Sequence, residues 1–182
     1  MMRPQNVLFG FLPETVTVSG KEYPVNTDFR TWLEAGEILK SDMIIERKIP
    51  KLVALCYKDL YPDNPGMALS GVMTFYRNAF PGYKGKGKSV FSADFDGKLI
   101  YSGFYKAYGI DLCSENLHWY RFAPLFYELS DCAFSKVMKY RGAEIATLPK
   151  TNQRYFAEMK SAFALPYGDS DKSFAESLFE IF

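Results

Sequence analysis

Apolar and polar side chains alternate near the N-terminal end of the chain, which is the period of a half-buried β-strand. Val16 and Val18 alternate with threonines, a Ser-Gly pair that suits a turn follows them, and Tyr23 and Val25 then alternate again. Two alternating runs joined by a short turn are typical of an antiparallel hairpin. The pattern therefore predicts a β-hairpin over about residues 14–26.

After residue 26 the apolar positions recur every three or four residues, which is helical spacing. Helix-start residues stand at Asp28, at Asn64 before a proline and at Ser114, and Gly109 suits a helix C-terminus. Pro50 fits the first turn of a further helix. The fold class predicted from these signals is mainly α: a multi-helix globular domain with a small N-terminal β-hairpin.

Glycine, proline and charge mark the predicted domain limits. Residues 1–166 are expected to form one mostly helical domain, interrupted by a flexible basic loop at about 81–90. A linker rich in proline, glycine and aspartate then leads into a C-terminal extension, residues 167–182. Helical spacing predicts a short amphipathic helix in that extension, carried by Phe174, Leu178 and Ile181.

Composition narrows the functional classes. The 182 residues carry a net charge of +1, which opposes a general nucleic-acid binder, because such proteins show a strongly basic face. Three scattered cysteines indicate reduced thiols and no disulfide framework. The sequence holds no apolar run of about eighteen residues, so we expect no membrane partner and a soluble protein that stays in the cell. The aromatic share of 17% fits self-association and fits a packed core equally well.

The basic loop contains a phosphate-binding pattern. Residues from Gly82 to Ser89 match G-x-x-x-x-G-K-S, in which the lysine holds nucleotide phosphates and the serine holds magnesium. A working loop of this kind follows a buried strand and opens into a helix, whereas apolar spacing over 69–80 is helical. We therefore interpret Lys84, Lys86 and Lys88 as a solvated basic loop. An NTPase site and a local RNA or DNA contact remain as rival hypotheses.

The remaining titratable residues form no evident catalytic group. His118 is the single histidine, and within its aromatic segment it is expected to be packed and hydrogen-bonded. A nucleophile pair of Cys113 or Cys132 with His118 is not excluded by distance along the chain. Asp94 and Asp96 lie at a helix start, where carboxylates favour the helix dipole. We assign no catalytic, metal or cofactor-binding residue and expect a protein that is not an enzyme.

Several segments, in order and spacing, resemble the "gene product fifteen" family of tailed bacteriophages and prophages. The resemblance covers about residues 12–166. It is carried by residues 14–30, Ile100-Tyr101, Tyr-Gly-Ile-Asp-Leu at 108–112, Leu-His-Trp-Tyr-Arg-Phe at 117–122, Phe-Ser-Lys-Val-Met-Lys-Tyr-Arg at 134–141, Met159-Lys160 and Ala-Leu-Pro at 164–166. The extension after Pro166 goes beyond the family pattern.

The resemblance implies a role in phage tail assembly. Members are encoded in the tail module shortly before the tape measure protein, which implies a non-enzymatic chaperone in siphoviruses that solubilises the tape measure protein and helps recruit tail tube subunits. Such a chaperone would work in the cytoplasm of the bacterial host and be absent from the mature virion. The alternative is a structural component of the virion, in the tail or at the head–tail junction. The expected partner-binding residues are Trp119, Tyr120, Phe122, Tyr101 and Tyr105.

Overall fold

The structure, a computed structural model, describes residues 8, 10–80 and 90–166. Two strands, β1 (Thr15–Val18) and β2 (Lys21–Pro24), precede the helices. The helices of the described part are α1 (Phe29–Lys40), α2 (Ile45–Cys56), α3 (Pro65–Asn78), α4 (Ala93–Tyr108), α5 (Trp119–Tyr127), α6 (Ala133–Gly142) and α7 (Lys150–Ala162), with a 3₁₀ turn at Ile145–Thr147. The mainly α fold with an N-terminal hairpin is confirmed.

The hairpin lies within the predicted limits and packs on α3. β1 and β2 are antiparallel, with Val16 opposite Tyr23. Ser19 and Gly20 both have positive φ, 50° and 79°, which matches the right-handed twist of a two-residue hairpin turn. Two strands alone are marginally stable in water, so the buried side of the hairpin depends on α3 for its stability.

Local capping residues set three of the helix boundaries where they were predicted. The Asp28 carboxylate accepts the Arg30 N–H at 2.8 Å at the start of α1. Asn64 accepts the Met67 N–H at 3.1 Å ahead of α3. Gly109 ends α4 in the left-handed conformation, with φ +67°. These ends therefore follow from short-range chemistry.

Two predicted helix starts are wrong. Pro50 lies inside α2, which begins five residues earlier at Ile45. Ser114 does not cap α5, because Ser114 belongs to a turn in which its N–H donates to the Asp111 carbonyl at 3.1 Å. His118 occupies the N-cap position of α5 instead.

The chain ahead of α5 is held by an extended segment from another part of the molecule. The Trp119 N–H donates to the Thr27 carbonyl at 2.7 Å, and the Phe29 N–H donates to the Leu117 carbonyl at 3.0 Å. These two bonds form an antiparallel bridge between the residues that open α1 and those that open α5. A tertiary contact thus decides where α5 begins.

Aromatic rings join the helices in the core. Phe122 of α5 is fully buried and stacks on Phe29 of α1 at a ring-centre distance of 4.7 Å and on Phe104 of α4 at 4.9 Å. Trp32 is also fully buried, and its indole N–H donates to the Asn26 carbonyl at 2.7 Å. Much of the high aromatic content therefore stabilises the fold itself.

A buried lysine caps the C-terminal end of α1. The ammonium group of Lys48, on α2, donates to the Leu39 carbonyl at 2.9 Å and to the Ser41 carbonyl at 2.6 Å. Carbonyl groups in the last turn of a helix lack intrahelical partners and carry a partial negative charge. Lys48 satisfies them and fixes the turn between α1 and α2.

Candidate partner-binding surface

The structure separates the five predicted partner-binding residues into two groups. Trp119, Tyr120 and Phe122 of α5 are buried in the core, and the Trp119 indole N–H donates to the Tyr76 carbonyl at 3.2 Å. This corrects their expected role, because a partner could reach these rings only if the core opened. Their helical spacing indicated an apolar stripe on α5. It did not show whether the core of this protein or a partner protein would cover that stripe.

The two predicted residues of α4 lie outside the core. Tyr101 and Tyr105 stand one helical turn apart, and their rings stack with centres 6.2 Å apart. Tyr105 is 58% exposed, and Tyr101 is half-buried. The negative charge of Asp111 is the main cause that raises the pKa of Tyr101. The pair therefore presents two stacked rings and their hydroxyl groups on the outer side of α4.

The helix that carries these tyrosines is tied to the α5–α6 region. The Tyr108 hydroxyl donates to the Leu125 carbonyl at 2.8 Å, and the Lys106 ammonium group donates to the Asp131 carbonyl at 3.1 Å. Phe104 fills the inner side of α4. The tyrosine pair is therefore displayed on a helix whose opposite side is fixed in the core.

A second group of exposed rings lies where α6 and α7 meet. Tyr140 of α6 shares a hydrogen bond of 3.0 Å with the Tyr155 hydroxyl and contacts the rings of Phe156 and Phe163. Tyr155 is 50% and Phe163 is 39% exposed. We call these four residues the α6–α7 surface. The sequence analysis assigned these rings no role. The signal that could have found them is the run of polar and charged residues around the rings of α7, which is typical of a helix at the surface.

A buried ion pair attaches this surface to the core. The Arg141 guanidinium donates to both carboxylate oxygens of Asp96, at 2.6 and 2.9 Å, and to the carbonyls of Val90 at 3.1 Å and Phe163 at 2.6 Å. Asp96 also accepts the Ser92 N–H at 3.0 Å. Asp96 thus does more than favour the helix dipole: it connects α4, α6 and the end of α7.

The segment that follows the basic loop is held by α1. The Glu37 carboxylate accepts the Ser92 hydroxyl at 2.8 Å and the Ala93 N–H at 2.8 Å. Lys40 donates to Glu37 at 3.0 Å and to the Phe91 carbonyl at 3.1 Å. Burial lowers the pKa of Lys40, although the carboxylate of Glu37 opposes that shift. The chain is therefore anchored just before α4.

The phosphate-binding pattern itself, with Lys84, Lys86 and Lys88, falls at 81–89, outside the described residues, as does the predicted amphipathic helix of 167–182. The elements on either side of the pattern are described. The preceding element is helix α3 and the following one is helix α4. A phosphate-binding loop of the NTPase type follows a strand, so the flanking structure gives that rival hypothesis no support.

The single histidine has a structural role. His118 Nδ1 accepts the Tyr120 N–H at 3.0 Å, and Nε2 lies 3.1 Å from the Pro13 carbonyl oxygen, so the proton sits on Nε2 and is donated there. Burial lowers the pKa of His118. Because both ring nitrogens are hydrogen-bonded, the ring is not placed to activate Cys113 or Cys132. Among residues 8, 10–80 and 90–166, no three His, Cys, Asp or Glu side chains are grouped to hold a metal ion.

A family model described as "Bacteriophage Gp15 protein" matches residues 9–165. The chain belongs to the bacteriophage Gp15 family. The match spans β1 to α7 and therefore includes the α4 tyrosine pair and all four residues of the α6–α7 surface. No curated protein and no solved structure matches the chain. Within the part that the structure describes, none of the helices of this Gp15-family protein has the length and apolarity needed to cross a membrane.

Proposed function

We propose that this Gp15-family protein is a non-enzymatic assembly chaperone of a siphovirus tail. In this role it binds the tape measure protein in the cytoplasm of the bacterial host, keeps it soluble and helps to recruit tail tube subunits, and it is absent from the mature virion. Membership of a phage protein family supports the setting. The family resemblance to proteins encoded beside the tape measure protein supports the partner.

The observation that carries the proposal is the exposed tyrosine pair on α4. Tyr101 and Tyr105 present stacked rings on a helix that is fixed on its other side. Tyrosine supplies a large contact area at low conformational cost, and its hydroxyl accepts or donates a hydrogen bond at the edge of a contact. A long helical protein with an apolar stripe would otherwise aggregate. In the proposed complex, the rings of Tyr101 and Tyr105 cover part of the apolar stripe of the tape measure protein.

Co-expression tests the proposal. The full-length chain is expressed with the tape measure protein of the same phage, and the soluble yield and co-purification of the latter are measured. We expect the wild-type chain to raise the soluble yield, and the Tyr101→Ser/Tyr105→Ser variant to lower it. Tyr61→Ser is the matched control, because Tyr61 is similarly exposed but lies between α2 and α3.

Three results would count against the proposal. An unchanged soluble yield together with no co-purification would remove the chaperone function. Mass spectrometry of purified particles tests the alternative, since a structural component of the tail or head–tail junction would be present in stoichiometric amount. If the Tyr61→Ser control lowered the soluble yield equally, the solubilising effect would not depend specifically on Tyr101 and Tyr105.

A further inference from the structure

The α6–α7 surface lies within a basic stretch of the chain. Residues 133–163 hold six lysines and arginines and two glutamates, a net charge of +4, whereas the whole chain has +1. One of the six, Arg141, is neutralised by Asp96. The others are exposed to solvent: Lys136, Lys139, Lys150, Arg154 and Lys160. The unit formed by α6 and α7 is therefore a basic region on a nearly neutral protein.

The basic groups lie beside the rings and are not merely near them in sequence. The Lys139 ammonium group is 5.9 Å from the centre of the Phe156 ring. Lys136 lies one helical turn before Tyr140 on α6. The hydrogen bond with Tyr140 raises the pKa of Tyr155, and the positive charge of Lys136 opposes that rise. Arg154 immediately precedes Tyr155 and has a side chain that is 92% exposed, with a solvent-exposed ion pair to Glu158. Cationic side chains thus flank half-exposed rings.

Two hydrogen bonds join the C-terminal end of α7 to the C-terminal end of α6. The Lys160 ammonium group donates to the Ala143 carbonyl at 2.9 Å, and Arg141 donates to the Phe163 carbonyl at 2.6 Å. Yet α7 itself has no buried residue. A helix that hydrogen bonds fix in place but that leaves its rings half-exposed is suited to take a further layer of protein.

We propose that the α6–α7 surface binds an acidic amphipathic helix of a partner protein. The apolar side of that helix covers Tyr155, Phe156 and Phe163, and its carboxylates face Lys136 and Lys139. The inference goes beyond the proposed function, because it assigns a partner chemistry to residues outside the α4 pair. Apolar contact supplies the affinity, while the opposite charges orient the partner and speed association.

A protein partner fits this surface better than nucleic acid. The rings contact one another edge-on or stacked within the surface, with centre distances of 5.5–6.1 Å from Tyr140 to Phe156, Tyr155 and Phe163. Single-stranded nucleic acid needs ring faces that are open for base stacking, in a groove that follows the backbone. Rings that already contact each other offer a continuous apolar surface instead, which suits the side of a helix.

Three probes test the inference on the full-length chain by fluorescence anisotropy. The first is a helical peptide of about 18 residues with leucine on one side and glutamate on the other. The second has glutamine in place of each glutamate, and the third is a single-stranded oligonucleotide. We expect the acidic peptide to bind about tenfold more tightly than the glutamine peptide and to lose that advantage as salt is raised.

Matched variants locate the binding. Lys136→Gln/Lys139→Gln is expected to weaken binding of the acidic peptide by about five- to tenfold and to leave the glutamine peptide unchanged. Lys51→Gln/Lys58→Gln removes the same charge from exposed positions on and after α2 and is expected to change little. Tyr155→Ser is expected to weaken both peptides, because it removes a ring from the apolar contact.

Equal affinity for the two peptides would overturn the inference, as would an equal loss in both double-lysine variants. Tighter binding of the oligonucleotide than of the acidic peptide would assign the surface to nucleic acid. No tape measure protein is present in these titrations. A negative result in the peptide titrations would therefore not contradict the chaperone function. A negative co-expression result would likewise not contradict the binding of an acidic helix to the α6–α7 surface.

Discussion

Arg141 of α6 binds the buried carboxylate of Asp96 on α4 through two parallel hydrogen bonds, Nη1 to Oδ2 at 2.6 Å and Nη2 to Oδ1 at 2.9 Å. The two residues are separated by 45 positions in the chain. Asp96 is only 2% exposed. This paired geometry orients the guanidinium so that its other N–H groups reach the carbonyls of Val90 and Phe163.

Removal of Arg141 should be strongly destabilising. Arg141→Leu leaves the Asp96 carboxylate buried without its cation, and we expect a loss of about 3–5 kcal/mol in the free energy of unfolding. Urea unfolding followed by circular dichroism measures it. The matched control is Arg154→Leu, since the pair of Arg154 with Glu158 is exposed and should contribute less than about 0.5 kcal/mol.

The double variant Asp96→Leu/Arg141→Leu tests the reason for that loss. If the cost of Arg141→Leu comes from an unpaired buried charge, removal of both partners should restore part of the lost stability. A double variant that is less stable than Arg141→Leu would show that the bond from the Ser92 N–H to Asp96, which only the double variant loses, outweighs the cost of the unpaired charge.

Truncation should lower the free energy of unfolding far more at Phe122 than at Tyr105. Phe122→Ala removes a fully buried ring between Phe29 and Phe104, and we expect it to lower the free energy of unfolding by about 3–5 kcal/mol. Tyr105→Ala, at an exposed position, should change it by about 0.5 kcal/mol or less. Thermal and urea unfolding measure both. A large loss of stability in Tyr105→Ala would contradict the assignment of that ring to a partner.

Stability should fall as the pH drops below the ordinary pKa of histidine. Burial holds the pKa of His118 below its unfolded value, so the unfolded chain binds the proton more readily than the folded one. The contribution of neutral His118 is fully present above the unfolded pKa of about 6.5 and is lost progressively as the pH falls. Protonation also removes the Nδ1 acceptor that caps α5.

The urea midpoint, compared between about pH 7.5 and about pH 5.5, measures this dependence. His118→Asn is the control, because asparagine can still accept the Tyr120 N–H at the N-cap but does not titrate. The variant should therefore lose much less stability than the wild-type chain over this range. An identical loss in both proteins would assign the pH dependence to other groups.

A methyl group at position 71 should not fit. The Cβ of Gly71→Ala would run into the Tyr57 hydroxyl and would lie 2.9 Å from Val18 Cγ2, where β1 packs on α3. Tyr57 is buried, and its hydroxyl donates to the Ala68 carbonyl at 2.8 Å, so it cannot move freely. We expect Gly71→Ala to lower the free energy of unfolding by about 1–3 kcal/mol, measured by urea unfolding.

Gly97→Ala is the matched control for position 71. Gly97 also lies within a helix, but an added Cβ meets no atom within 4 Å. Alanine favours a helix over glycine by up to about 1 kcal/mol, so this substitution should stabilise the protein. Combination of Gly71→Ala with Tyr57→Phe should recover part of the loss if the hydroxyl is the obstacle. No recovery would point to Val18 and the hairpin instead.

The sequence alone determined those features that depend on a few neighbouring residues. The hairpin, the start of α3 at Asn64-Pro65 and the end of α4 at Gly109 were predictable, because alternation, capping and the conformational freedom of glycine act over short distances. The spacing of apolar residues predicted a mainly α fold for the same reason. The resemblance over the body of the chain indicated the family.

The tertiary structure alone decided which aromatic stripe is covered and which charge is buried. Trp119 and Phe122 belong to the core and Tyr105 to the surface, although all three have helical apolar spacing, because a stripe does not specify the helix that packs on it. The partner of Asp96 comes from α6, and the start of α5 depends on the bridge to Thr27. Contacts between positions so far apart in the chain leave no local pattern in the sequence.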